Sequence, residues 1–321
     1  MTLTIDKLTQ PASDADYTID TGHNKFGLGI GFVGLMIAMI AAILVIAAGL
    51  EVADGGDETA IGQLLAVGFG LNTLALATLK IGISVVLVGI LVRLWWRVES
   101  IKASLPALRT EGGGANAPTT TPYGDVTVSD SEPAQLQIHK MAKTLWAPML
   151  AMGYMLVIVG LIAAIVGAVN VGTDPATAID ASAWAQGLQF FGEVLVLAGI
   201  SFLLATILRG LRQGGGQVQE ALGIPVLTLK MPATAKGAIA LMVSGVMLGI
   251  VQLIGYINVT TFDDATRVGA WFAALGPLRE LSLGLLLAGV VLFLATIGRV
   301  LGFQFWRIRS IVTSNATGVT K

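Results

Sequence analysis

The sequence predicts an all-α integral membrane protein: six transmembrane helices arranged as three antiparallel hairpins, built as a triplicated pseudo-repeat. Three observations carry that expectation. Of 321 residues, 55% are hydrophobic and 12% charged, about half the charged share of a soluble globular chain, and the mean hydropathy is +0.80. Six apolar stretches each reach the ~20 helical residues needed to cross a hydrocarbon core of about 30 Å. The second members of successive stretches resemble one another at fixed offsets. A water-soluble enzyme, a disordered chain and a nucleic-acid binder all fit this composition poorly. The absence of Cys removes disulfides, thiolate metal sites and iron–sulfur clusters together.

Taken in order, residues 1–25 form a polar N-terminal segment with Asp6, Asp14, Asp16 and Asp20. No basic stretch precedes an apolar run as in a cleavable signal, so the first span is expected to be retained. The first hairpin, 26–96, holds spans from Phe26 to Leu50 and from Leu71 to Trp95. A connection at 97–143 follows, with Gly112–Gly114 and Pro118 to Pro122 marking a flexible linker and Asp125–Val128 a short strand. The second hairpin, 144–209, holds Leu145 to Val169 and Leu188 to Leu208. The next connection, 210–236, carries Gly214–Gly216, a short helix through Glu220 to Leu222, then Pro225 and Pro232. The third hairpin, 237–302, holds Ala238 to Ile257 and Leu281 to Leu301, and 303–321 is the C-terminal tail. Runs this continuous can satisfy their backbone groups in lipid only as helices.

Orientation follows from the basic residues, which keep short loops on the cytoplasmic side. The connections after the first, third and fifth spans hold only Arg267 and Arg279, beside eight acids from Glu51 to Asp264. Lys80 lies inside a span, and the other sixteen basic residues fall on the opposite side. Both termini are therefore expected in the cytoplasm, in a bacterial inner membrane.

Internal similarity is visible in Gly82-Ile83-Ser84 against Gly199-Ile200-Ser201, offset by 117. Ala198-Gly199 with Ala205-Thr206-Ile207 recurs 90 residues later at Ala288-Gly289 with Ala295-Thr296-Ile297, and Trp96-Arg97 is echoed by Trp306-Arg307. Apolar residues recur by chance in membrane helices, and the Trp-Arg echo is the harder match to dismiss.

Few residues carry chemistry. An ionisable group at membrane depth costs about 2.5–3.5 kcal/mol even on the lenient insertion scale. Lys80 lies 13 residues before the interfacial Arg93 and Glu193 lies 16 before Arg209, about 20 and 24 Å along their helix axes. The sharper reading pairs Lys80 with Glu193 inside the bundle, on a path for protons or ions. The more economical one has Lys80 snorkelling outward and Glu193 interfacial. Tyr154, Asn170 and Gln252 are too scattered to define a pocket, Asn72 and Gln252 join Lys80 and Glu193 as the only candidates for lining a transport path, and Glu280 falls nearer the outer surface. His23 and His139 are read as solvated interfacial residues, because a metal site needs further ligands. No intrinsic cofactor is expected, and no residue pattern points to a bound lipid or quinone.

Small residues at one-turn spacing mark helix-packing surfaces: Gly27 with Gly31, Gly245 with Gly249, and Gly284 with Ala288. Trp95, Trp96, Trp146 and Trp306 serve as interfacial anchors on the inner side, with Trp184 and Trp271 on the outer. Pro148 and Pro277 fall near helix starts, where a missing N–H costs little. The expectation is a non-enzymatic subunit that anchors or scaffolds a larger membrane complex, with membrane lipids and other membrane subunits as partners and no nucleic acid. The alternative is a small-solute or ion-coupled transporter or channel using Lys80 and Glu193.

Overall fold

The computed structural model describes residues 23–53, 56–104, 120–131, 137–221, 223–262 and 264–318. Six helices dominate: α1 (His23–Ala53), α2 (Glu58–Ser104), α3 (Gln137–Asn170), α4 (Pro175–Ala221), α5 (Ala233–Val259) and α6 (Ala265–Gly318). Each is long and apolar enough to cross a membrane, so the chain is an all-α, multi-pass integral membrane protein. Tight turns between α3 and α4 and between α5 and α6 gather at one end of the bundle, with the short α1–α2 connection beside them, Thr59 meeting Gly172. The longer connections fall at the other end. It follows that α2, α4 and α6 all start at the turn end, and their side chains lean toward it.

α4 is the central element. Of its apolar window 78% is buried, against 11% for that of α1. Phe190, Val194, Leu197, Leu203 and Leu204 of α4 form the core with Leu91 of α2, Leu150 of α3, Met242 of α5 and Leu286 of α6. Between α3 and α4 the backbones nearly touch: a Cβ built on Gly153 would lie 2.6 Å from the Gly192 carbonyl oxygen, and one on Gly160 would lie 2.9 Å from that of Ala185. Close approach of this kind supplies van der Waals contact where lipid provides no hydrophobic drive. Outward faces are covered with large apolar side chains such as Phe32, Ile43 and Ile46, all more than 60% exposed.

The even-numbered helices run well beyond the expected spans. α2 continues to Ser104 and α6 to Gly318, and α4 passes unbroken through Gly214–Gly216 to Ala221, absorbing the separate short helix expected at Glu220. The reason lies in packing. A Cβ on Gly215 would come within 3.1 Å of the side-chain amide carbon of Gln304 and would clash with the Arg307 guanidinium, so Gly215 admits α6 against α4. Pro148 and Pro277 stand well inside α3 and α6 instead of near their starts, because both helices begin about three turns earlier.

Three short strands, β1 (Thr120–Thr121), β2 (Gly124–Ser129) and β3 (Val226–Leu229), form an antiparallel sheet in that order. β2 extends the strand expected at Asp125–Val128, and its partner β3 belongs to the other connection, with Val126 opposite Leu229. Val126, Leu227 and Leu229 pack on Val300 and Phe303 of α6. Gln219 Oε1 accepts from the Leu227 amide at 3.0 Å, and the buried Arg307 guanidinium donates to the Leu227 carbonyl. The Gly112–Gly114 linker lies outside the described residues.

Candidate functional site

Three charged side chains converge from three helices. Glu193 of α4 is 1% exposed, and its Oε1 lies 3.0 Å from Nζ of Lys80 on α2. Its Oε2 lies 3.4 Å from Nη2 of Arg279 on α6. Neither an outward-snorkelling Lys80 nor an interfacial Glu193 describes this arrangement. A buried carboxylate requires such company, since an unpaired charge in an apolar interior is prohibitively expensive. The two cations retain some contact with the surroundings, their side chains being 18% and 32% exposed. The cluster carries one more positive than negative charge. The Arg279 guanidinium also stands over the Phe190 ring, 5.7 Å from its centroid.

Hydrogen bonds fix the surroundings on each side. Gln189, one turn before Glu193, donates to the Gly70 carbonyl of α2 at 3.3 Å, and Ser84 donates back to the Lys80 carbonyl at 2.8 Å. Thr78 donates to the Leu74 carbonyl at 2.8 Å, which leaves its oxygen to accept from the Tyr154 hydroxyl at 3.1 Å. On α5, Gln252 is fully buried and donates to the Leu275 carbonyl at 2.8 Å. One turn farther on, the Tyr256 hydroxyl donates to Gln186 Oε1 at 3.0 Å.

Above Arg279 an open cavity of about 810 Å³ runs between α4, α5 and α6 to the turn end. Pro175 and Val268 lie at its mouth and Gln186 and Arg279 at its floor. Both helices advance eleven residues between these levels, so the cavity extends about 16 Å along the bundle at 1.5 Å per residue. On α4, Glu193 lies about 10 Å beyond Gln186 by the same rise, in contact with the Arg279 guanidinium.

The structure thus brings Lys80 and Glu193 together and adds Arg279, which sequence reasoning assigned to a connection. Asn72 is exposed, and Gln252 is buried between α5 and α6, bonded to the Leu275 carbonyl. Glu280 is exposed on the cavity rim. Of the packing residues, Gly27 and Gly31 meet Gly82 of α2, Gly245 meets Leu286 of α6, and Gly249 meets Val194 of α4. Gly284 and Ala288 face outward: Leu286, Gly289 and Phe293 turn inward on α6, and that phase leaves the other two uncovered among the described residues. Trp146 packs against the core, and Trp306 stacks on Phe303 beneath the sheet with ring centroids 5.9 Å apart. The side chains of His23, Trp95 and Trp96 lie outside the described residues. His139 lines a small cavity near Arg212 and Lys230.

No protein family, curated protein or solved structure matches the chain. Function must therefore be argued from this geometry.

Proposed function

We propose that the chain is a non-enzymatic membrane protein that moves a small solute or ion through its bundle, using Lys80, Glu193 and Arg279. The observation that carries this reading is a single buried carboxylate shared by two cations on separate helices, next to a cavity that opens at the turn end. Two cations competing for one anion make a site whose pairing a mobile charge can rearrange, which a purely structural pair does not need. Intramembrane ionisable groups facing a bundle interior are where transport pathways are usually found. Of the glycines read as helix-packing surfaces, Gly27, Gly245 and Gly249 are filled from within this chain, whereas a Cβ added at Gly31 or Gly284 would meet nothing within 4 Å among the described residues.

Flux measurements test the reading. Proteoliposomes should collapse an imposed pH gradient, or swell in isotonic sodium acetate, faster than empty vesicles. Lys80→Met protein of unchanged assembly should lose that excess rate. Equal rates for empty vesicles and the native protein, or for the native protein and Lys80→Met, would overturn it.

A role as a subunit of a larger complex draws on one specific feature, the outward Gly284 and Ala288 of α6. Mild detergent extraction should then yield a stoichiometric partner that Gly284→Leu releases; a lone, monodisperse protein that moves solute rejects it. We also propose a bacterial inner-membrane location with the sheet end cytoplasmic, since the turn end holds many acids and, with Arg279 inside α6, little more than Arg267 as a base. The triplication rests on the sequence matches among α2, α4 and α6 at offsets of 117 and 90.

A further inference from the structure

We infer that the cavity between α4, α5 and α6 receives an amphipathic monoanion, a carboxylate or phosphate headgroup on an apolar body, held by the guanidinium of Arg279. The inference rests on the functional reading above and names the class of molecule that its charged centre would meet.

Three observations lead to it. The cavity, about 810 Å³, falls within the ~300–1,000 Å³ of small-molecule sites. Its walls divide by chemistry: Val171, Ile179, Val268 and Phe272 line the reach toward the mouth, while Gln186, Tyr256 and Arg279 gather at the floor. A molecule with one polar end and an apolar body matches that division, with its charge pointing inward. Arg279 is also the looser of the two partners of Glu193, at 3.4 Å against 3.0 Å for Lys80. Charge-assisted N–H···O bonds prefer roughly 2.7–2.9 Å, so the Arg279 contact is the easier to exchange. An arginine fork presents five donors and matches carboxylate or phosphate oxygens.

Charge favours one negative unit over two: Lys80, Glu193 and Arg279 sum to plus one, and the exposed Glu280, next to Arg279 in the lining, brings the surroundings to neutrality. When a headgroup takes Arg279, Glu193 keeps Lys80, and no buried charge is stranded. The Tyr256 hydroxyl and Gln186, bonded to each other at 3.0 Å, sit at the same level and supply neutral polar contacts.

The headgroup can come from a free amphiphile or from an anionic lipid of the surrounding leaflet. Isothermal titration of the purified full-length protein in phosphatidylcholine nanodiscs should show decanoate binding saturably at one site. Decanol, which lacks the charge, and acetate, which lacks the body, should bind at least tenfold more weakly. Nanodiscs containing phosphatidylglycerol separate the sources. A weaker apparent affinity for decanoate there identifies lipid as an occupant, and an unchanged affinity identifies a free solute.

Two variants keep the test decisive. Arg279→Gln should lose tenfold or more in decanoate affinity. Gly276→Leu fills the cavity from a position where an added Cβ meets nothing within 4 Å, so the fold is kept while binding is lost. Decanol binding as tightly as decanoate, native affinity in Arg279→Gln or Gly276→Leu, or no decanoate binding by the native protein overturns the inference. Decanoate binding without any vesicle flux keeps this inference and removes the transport reading. Flux of another ion without decanoate binding does the reverse.

Discussion

Replacing Glu193 with Gln removes the only negative charge from a cluster of three and leaves Lys80 and Arg279 facing each other in the bundle. Stripping one partner from a buried pair costs about 3–5 kcal/mol, because the remaining charge is stranded. Here the cations keep 18% and 32% exposure and recover part of their hydration. The low end, about 3 kcal/mol, is therefore expected. Lys80→Met is gentler: Glu193 retains Arg279, the lysine stem is replaced by an apolar one of similar length, and the loss is one charged hydrogen bond, about 1.5–3 kcal/mol. Glu193→Gln should thus be the more harmful of the two. The double variant should be less harmful than the sum, since removing Lys80 relieves part of the stranded charge. Denaturant titration in mixed micelles, followed by circular dichroism, reads all four proteins. A Glu193→Gln protein within about 1 kcal/mol of native, or one more stable than Lys80→Met, would refute the assignment of Glu193 as the charge that holds α2 and α6 to α4.

Glycine contacts give a paired prediction: Gly153→Ala should cost about 1–3 kcal/mol by overpacking, since its Cβ would lie 2.6 Å from the Gly192 oxygen, whereas Gly284→Ala meets nothing within 4 Å and should be neutral or slightly stabilising; thermal unfolding in detergent compares them. At the sheet, Arg307→Met removes the guanidinium that reaches the Leu227 carbonyl and should cost about 1.5–3 kcal/mol, seen as faster amide exchange in Val226–Leu229. Asp174 caps α4, accepting from the Thr177 hydroxyl at 2.7 Å and the Thr177 amide at 3.2 Å. Those bonds, the hydroxyl's first, hold its carboxyl below the ordinary value of 3.8. Its stabilising contribution is present above that value and lost as pH falls through the lower folded one; the melting temperature of native protein should therefore approach that of Asp174→Asn on acidification, and a constant gap down to the lowest pH would exclude the cap.

The spans were legible because lipid imposes one rule, a long apolar run with internally bonded backbone, and each run announces itself locally. Lys80 and Glu193 could be matched in depth from nothing more than helical rise. Arg279 escaped because it stands two residues before Leu281, where the apolar run begins, and a basic residue beside a run boundary reads as loop. Pro277 reinforced that reading, yet a proline is tolerated deep in membrane helices. The signal that separates the two cases is the moderately apolar stretch Val268–Leu278, which carries α6 a further three turns. One strand of the sheet was expected, at Asp125–Val128, but its pairing with β3 was missed for another reason. β2 and β3 are 6 and 4 residues long and nearly one hundred residues apart, so neither carries a local sign of its partner. Gly214–Gly216 misled because the pressure for small residues came from Gln304 and Arg307 on a distant helix.

β2 precedes α3, β3 follows α4, and the arginine that reaches Leu227 arrives near the end of α6. A ribosome releases those three pieces in that sequence, with four membrane crossings made between the first and the last. β2 and β3 can pair before that, through their own backbones, but the arginine that pins β3 becomes available only once the final helix has threaded.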